Sequence, residues 1–217
     1  MAPKTPLEAT PEVVVPPYWD DACKHLVKRD RVMKKLIPQF GEARLQSGDA
    51  FATLARSIVG QQISVKSAQS AWHRWVELMP KLQPSAVLGL SVEAQRAAGL
   101  SARKVDYLRD LAEHFASGQV HVRQWAQMED EAIIEELVAI RGIGRWTAEM
   151  FLIFHLMRPN VMPLDDIGLL KGISQNYFSG EPVSRAEARE VGDAWAPYRS
   201  VAVWYIWRSL DPRSVDD

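Results

Sequence analysis

The stretch Leu137-Val138-Ala139-Ile140-Arg141-Gly142-Ile143-Gly144-Arg145-Trp146-Thr147-Ala148 joins one apolar helix to another through two glycines separated by a single apolar residue. Gly142 and Gly144 allow the turn backbone angles closed to other residues, and their missing side chains let a phosphate approach the backbone N–H groups. Ile140 and Ile143 are placed to tuck between the two helices and fix the turn so that its amides point one way. A second helix starting near Arg145 presents a positive N-terminal end, and Arg141 and Arg145 add local charge that a whole-chain sum hides. A lone Gly-x-Gly would say little, since glycine commonly ends helices. The full string points to a helix–hairpin–helix turn that binds phosphate, which by itself binds nucleic acid without cutting it.

On both sides of this turn the chain reads as helices broken by short polar or Gly/Pro turns. They cover roughly 18–30, 31–38, 49–60, 64–79, 84–89, 92–98, 102–116, 122–127, 130–139, 145–156, 166–175, 184–194 and 198–210. No run of alternating strand pattern stands out and no fixed period suggests a solenoid, so the fold class is all-α. Ser64 follows a Gly-Gln-Gln turn as a helix start, and Ser184 with Glu187 has capping-box spacing. Val105, Leu108, Leu111, Ala112 and Phe115 follow a 3.6-residue period, the pattern of a core-packing helix. Residues 1–17 carry Pro3, Pro6, Pro11, Pro16 and Pro17 and read as an extended or frayed arm without function.

A chain of 217 residues supports one large domain or two closely packed lobes. With 47% hydrophobic and 24% charged residues the composition is that of an ordinary globular protein. The single Cys23 cannot form an internal disulfide or hold an iron–sulfur cluster, which favours a reducing intracellular setting. The first residues lack the layout of a signal peptide and the apolar stretches are too short to span a bilayer, so a cytoplasmic, nucleoid-associated protein is expected, with no membrane partner. A formal net charge of −1 counts against nucleic-acid binding through a general positive field. It leaves room for phosphate binding by backbone N–H groups.

Downstream of the hairpin comes Met162-Pro163-Leu164-Asp165-Asp166-Ile167-Gly168-Leu169-Leu170-Lys171, two adjacent acids ahead of a helix. One aspartate alone would read as a helix N-cap, with Pro163 stiffening the approach.

Four motifs in order now carry a resemblance: Ile58-Val59-Gly60-Gln61-Gln62-Ile63-Ser64, Gly142 to Ala148, Pro163-Leu164-Asp165-Asp166, and Trp195-Ala196-Pro197-Tyr198-Arg199-Ser200 ahead of Trp204-Tyr205-Ile206-Trp207. Over about residues 45–210 the chain resembles the helix-hairpin-helix, Gly/Pro-rich loop and aspartate (HhH-GPD) superfamily of base-excision DNA glycosylases, in its 3-methyladenine glycosylase II branch. The larger bacterial relatives carry an extra N-terminal domain, and this chain resembles a compact form without it. The resemblance implies a two-lobed helical fold with the active-site cleft between the lobes. One lobe would hold roughly residues 50–160, including the hairpin at 137–148, and the other roughly 18–49 with 161–210.

It also implies roles. The catalytic aspartate falls on Asp166, with Asp165 as a neighbour that caps or orients. Trp146, Met150, Tyr205 and Trp207 fall at the substrate-base pocket, Met150 standing where relatives carry another aromatic residue. Gln62 falls at the wedge that fills the stack when a base is flipped out. DNA contacts fall on Gln62, Ser64, Gly142, Ile143, Gly144, Arg145 and Thr147. No cofactor and no metal is required, though the carbonyls of Val138, Ile140 and Ile143 offer a monovalent-cation site. The partner is duplex DNA with alkylated bases, and a monomer is expected.

The chemistry agrees with one carboxylate. Breaking an N-glycosidic bond builds positive charge on the deoxyribose, which a carboxylate in a water-poor site stabilises, and cationic N-alkylated purines leave without an acid. An electron-rich aromatic face favours a cationic base over a neutral one by roughly 0.5–2 kcal/mol. His155, on an apolar helix, reads as a core residue. Trp146 stands where bifunctional relatives carry a Schiff-base lysine, so base removal without strand cleavage is expected. Two other readings stay open: a different glycosylase specificity on the same scaffold, and a noncatalytic hairpin module in which Asp166 is only a cap.

Overall fold

The computed structural model describes residues 13–46 and 48–210. The part of the N-terminal arm before Val13 therefore lies outside the described residues. Among these there are twelve α-helices, two short 3-10 turns and one two-stranded pairing, and none of the helices is long and apolar enough to cross a membrane. The described residues divide into two compact units, one built from residues 48–151 and the other from 13–46 with 152–210.

The first unit contains α3 (Ala50–Gly60), α4 (Val65–Val76), α5 (Pro84–Gly89), α6 (Val92–Ala97), α7 (Ala102–Ser117), α8 (Asp130–Val138) and most of α9 (Arg145–Phe154). Helix α7 is its axis, packed by α3, α5 and α6. Its stripe of Val105, Leu108, Leu111 and Ala112 is fully buried, and Phe115 meets Phe51 edge to face at 5.3 Å. Ser101 caps its start and Gly118, in the left-handed region, ends it. Ser64 caps α4 as its position predicts. The helix expected at 122–127 shrinks to a 3-10 turn at Trp125–Gln127, where one buried tryptophan packs on Phe151 at 5.5 Å and supplies the only apolar anchor of the segment.

The second unit contains α1 (Trp19–Arg29), α2 (Met33–Leu36), the last residues of α9, α10 (Ile167–Tyr177), α11 (Arg185–Asp193) and α12 (Arg199–Leu210). Helix α12 packs against α10, α2 and α1 and is buried on every side from Ser200 through Ile206. Gly172 lets α10 approach it closely, since a Cβ there would overlap Ile206. The capping box of Ser184 and Glu187 opens α11. The helix expected at 31–38 breaks into α2 and a 3-10 turn at Ile37–Gln39 because Pro38 has no N–H to continue the ladder.

Two expectations need correction. The sequence pattern predicts no strand and an arm running to Pro17, but Val13–Val14 pairs antiparallel with Leu45–Gln46. Two residues per strand are too few to leave an alternating pattern. Helix α9 stops at Phe154 rather than near residue 156, and Met157 takes a positive φ of 52° just beyond it, where the Arg158 N–H returns to the Leu152 carbonyl.

Candidate active site

Pro163 and the backbone bond from Asp166 N–H to the Pro163 carbonyl, 3.0 Å, turn the chain tightly into α10. Asp166 is the N-cap of that helix, its Oδ1 accepting the Leu169 N–H at 2.6 Å. The same Oδ1 accepts the indole N–H of Trp207, one helix away on α12, at 2.9 Å. Asp166 is half-buried, and so is Trp207. Gly168 belongs to this arrangement, because a Cβ there would come within 3.0 Å of the Asp166 oxygen and 3.5 Å of the Trp207 ring. The adjacent acid is placed differently: Asp165 is exposed and pairs with Arg185 at 2.7 Å. Of two neighbouring aspartates, one serves the surface and the other is held inward by two donors.

Trp207 stacks on Phe154, with ring centroids 5.8 Å apart and planes 19° from parallel. Phe154 is 37% exposed, so this stacked pair offers an open aromatic face beside a fixed carboxylate. The sequence reading passes over Phe154, which looks like one more apolar residue of α9. Tyr205 is the opposite case and a correction: it is 2% exposed and lies in the core of this unit. Its ring packs edge-on to Trp204 at 4.9 Å and its hydroxyl donates to the Gly41 carbonyl while accepting from the Trp19 indole. Burial pushes its phenol well above the ordinary tyrosine range. It holds the core and cannot wall a pocket.

The hairpin lies in the other unit. Ile140 and Ile143 are buried as the spacing predicts. Gly142 has a φ of +89°, and a Cβ there would overlap the ring of Tyr107, so glycine is required on two counts. Gly144 has open space where its Cβ would be, and its carbonyl accepts the Ala148 N–H, the first bond of α9. The Ile140 carbonyl accepts the Ile143 N–H inside the turn at 3.1 Å. Trp146 stands 48% exposed on the first turn of α9, with Thr147 and Met150 half-buried after it.

Both hairpin arginines are ion-paired within this unit, yet their side chains stay 62% (Arg141) and 49% (Arg145) exposed. Arg145 makes a two-pronged pair with Glu131 at 2.6 and 2.8 Å and a further bond to Glu149 at 3.1 Å. Arg141 is bound to Asp110 through its side chain at 3.0 Å and its backbone N–H at 2.7 Å. Burial pushes the Asp110 carboxyl up, but the bonds from Arg141, with His114 nearby, outweigh it and hold it below the usual carboxylate range. These arginines fasten the turn to α7, α8 and α9.

Gln62 is exposed at the tip of the α3–α4 turn with a φ of +59°, in the left-handed region. Two bonds brace this turn: the Gln61 side-chain amide donates to the Gly142 carbonyl at 2.8 Å, and Lys104 donates to the Val59 carbonyl at 2.7 Å. The first ties the tip directly to the hairpin, a link the sequence reading missed. Ile63 and Val65 are exposed on either side of Ser64.

Comparison with known proteins gives the family. The model of the HhH-GPD superfamily of base excision DNA repair proteins matches residues 55–197. The DNA-3-methyladenine glycosylase 1 of Schizosaccharomyces pombe is 32% identical over 193 residues, covering 85% of each chain. The crystal structure of a DNA-3-methyladenine glycosidase from Bacillus halodurans superimposes with a TM-score of 0.83 at 35% identity, covering 92% of this chain and 93% of that one. The S. pombe 3-methyladenine DNA glycosylase in complex with abasic DNA matches with a TM-score of 0.75 at 31% identity, over 87% and 96% of the two chains. With the glycine hairpin, the inward aspartate and these relatives together, the chain belongs to the HhH-GPD superfamily of base excision DNA repair proteins.

Proposed function

We propose that this protein is a monofunctional DNA glycosylase that hydrolyses the N-glycosidic bond of alkylated purines, 3-methyladenine among them, flipped out of duplex DNA, with Asp166 as the catalytic carboxylate. The observation that carries the reading is the pair of fixed donors on Asp166 Oδ1, Leu169 N–H and Trp207 Nε1–H, set beside the Trp207–Phe154 stack. A carboxylate whose plane is set before substrate arrives stabilises the cationic sugar of the transition state without reorganising. The stacked rings favour a cationic base by roughly 0.5–2 kcal/mol over a neutral one. Such a base leaves without a general acid, so no histidine is needed. The surface pairing of Asp165 with Arg185 supports Asp166 as the chemical carboxylate of the two.

The hairpin amides around Gly142, Ile143 and Gly144 hold a phosphate of the damaged strand, with Thr147 and Ser64 as further contacts. Gln62 fills the stack after flipping, a step that costs a few kcal/mol. The backbone that carries it is braced by the bonds at Gln61 and Val59. The neutral carbonyls of Val138, Ile140 and Ile143 suit a monovalent cation, whose charge would draw a phosphate to the same turn. Trp146 at the Schiff-base position leaves no nucleophilic amine there, so the product is an abasic site and not a nicked strand.

The test is incubation of the protein with methylated duplex DNA, scoring free base, strand nicks and borohydride-trapped adducts. Release of 3-methyladenine with neither nick nor adduct is the expected result. Duplex binding without base release overturns the enzyme reading, and a trapped adduct overturns the monofunctional one.

A further inference from the structure

The turn from α1 to α2 carries Lys28, Arg29, Arg31, Lys34 and Lys35, all exposed, within eight residues of a chain whose formal net charge is −1. The one acid in this run, Asp30, is 8% exposed and turned inward. Its Oδ1 accepts the N–H groups of Val32 and Met33 at 2.7 and 2.9 Å, and its Oδ2 accepts the Tyr177 hydroxyl at 2.8 Å and the Trp195 indole at 3.1 Å. With both oxygens occupied in the interior, Asp30 forms no ion pair with the five cations. The nearest acid before them, Asp21, pairs with Lys24. Among the described residues none of the five makes an ion pair. The buried carboxylate thus builds the corner and splays the cations around it.

A merely solvated surface intersperses both signs of charge, whereas the exposed side chains of residues 28–35 are all cationic. A protein partner would need apolar or aromatic anchors at the centre of the contact. Here the apolar residues of the segment, Val32 and Met33, are buried, and what remains at the surface is charge alone. A repeating polyanion asks for nothing more. The hairpin arginines, meanwhile, are committed to Asp110, Glu131 and Glu149.

We infer that the α1–α2 corner is a second DNA contact, in which Lys28, Arg29, Arg31, Lys34 and Lys35 bind the phosphate backbone of duplex DNA independently of sequence and damage. It rests on the reading of the protein as a DNA enzyme. It adds five cations that no carboxylate among the described residues holds, and it predicts that binding is more salt-dependent than the net charge suggests.

The test compares affinity for an undamaged duplex across a salt series in the wild type, the corner variant Lys28→Gln/Arg29→Gln/Lys34→Gln/Lys35→Gln, and a charge-matched control, Lys81→Gln/Arg96→Gln/Arg123→Gln/Arg189→Gln. Circular dichroism checks that each is folded. Each phosphate contact adds about 0.9 to the slope of log affinity against log salt, so the corner variant should lose about 2–4 from the slope and bind at least ~10-fold more weakly at ~0.1 M salt. The control should keep the wild-type slope. Equal slopes in wild type and corner variant overturn the inference and leave the patch to an acidic protein partner, while an equal loss in the control reduces it to a net-charge effect. A wild type that binds no duplex at all would instead bring down the DNA-enzyme reading itself.

Discussion

The indole N–H of Trp207 donates to the same oxygen of Asp166 that accepts the Leu169 N–H, at 2.9 and 2.6 Å. One side chain therefore does two things: its ring stacks on Phe154, and its edge fixes a carboxylate. Gly168 is the third partner, because a Cβ there would crowd the Asp166 oxygen at 3.0 Å while touching the Trp207 ring at 3.5 Å.

Trp207→Phe separates these roles, keeping a ring against Phe154 while deleting the donor. A hydrogen bond to a charged group is worth about 1.5–3 kcal/mol, so single-turnover base release should fall about 10-fold or more. Affinity for abasic duplex should hold. A rate equal to wild type would show that the indole only packs.

The two hairpin glycines should respond differently to alanine. Gly142→Ala meets the Tyr107 ring at a positive φ and should destabilise by more than ~1 kcal/mol in urea unfolding. Gly144→Ala has open space and should leave the unfolding midpoint nearly unchanged while weakening duplex binding, because the methyl stands where a phosphate must approach. Equal stability losses in both would contradict this division.

Gln62→Gly tests the wedge against its own backbone. Glycine relieves the left-handed strain at φ +59°, so stability should be unchanged or rise by up to ~1 kcal/mol, whereas turnover on duplex substrate should drop. Full activity on duplex DNA would remove Gln62 from flipping.

Asp110 gives the hairpin a pH dependence. Because its carboxyl is held below the usual range in the folded state, its contribution is present above the unfolded value, near ~4, and is lost as pH falls through the lower folded one. Asp110→Asn should therefore cost stability at neutral pH and progressively less below ~pH 4, so that the two unfolding curves converge on acidification. A constant gap between wild type and variant across that range would contradict the pairing with Arg141.

Much of this was legible because it is local. The caps at Ser64 and Ser184, the apolar stripe of α7 and the buried Ile140 and Ile143 follow from residue type and a 3.6-residue period. What escaped the sequence depends on distant pairing. Arg141 finds Asp110 31 residues away and Arg145 finds Glu131 14 away, although its i,i+4 partner Glu149 could have been anticipated. Tyr205 sits beside Trp204 and Trp207 in an aromatic run, but in a helix buried all round only packing decides which ring faces outward. Phe154 shows the reverse: its exposure and its stack on Trp207 appear only when α9 and α12 are placed together. Asp30, one acid in a basic run, gives no hint that it points inward.

The central claim is that Asp166 carries the chemistry, and the most direct test measures free 3-methyladenine released from methylated duplex DNA by wild type, Asp166→Asn and Asp165→Asn. Asparagine caps α10 in Asp166→Asn, and Asp166 still caps it in Asp165→Asn, so folding is preserved in both. Release by wild type and Asp165→Asn, with a loss of at least ~100-fold in Asp166→Asn, is the predicted result. Release that survives in Asp166→Asn and disappears in Asp165→Asn would contradict the account.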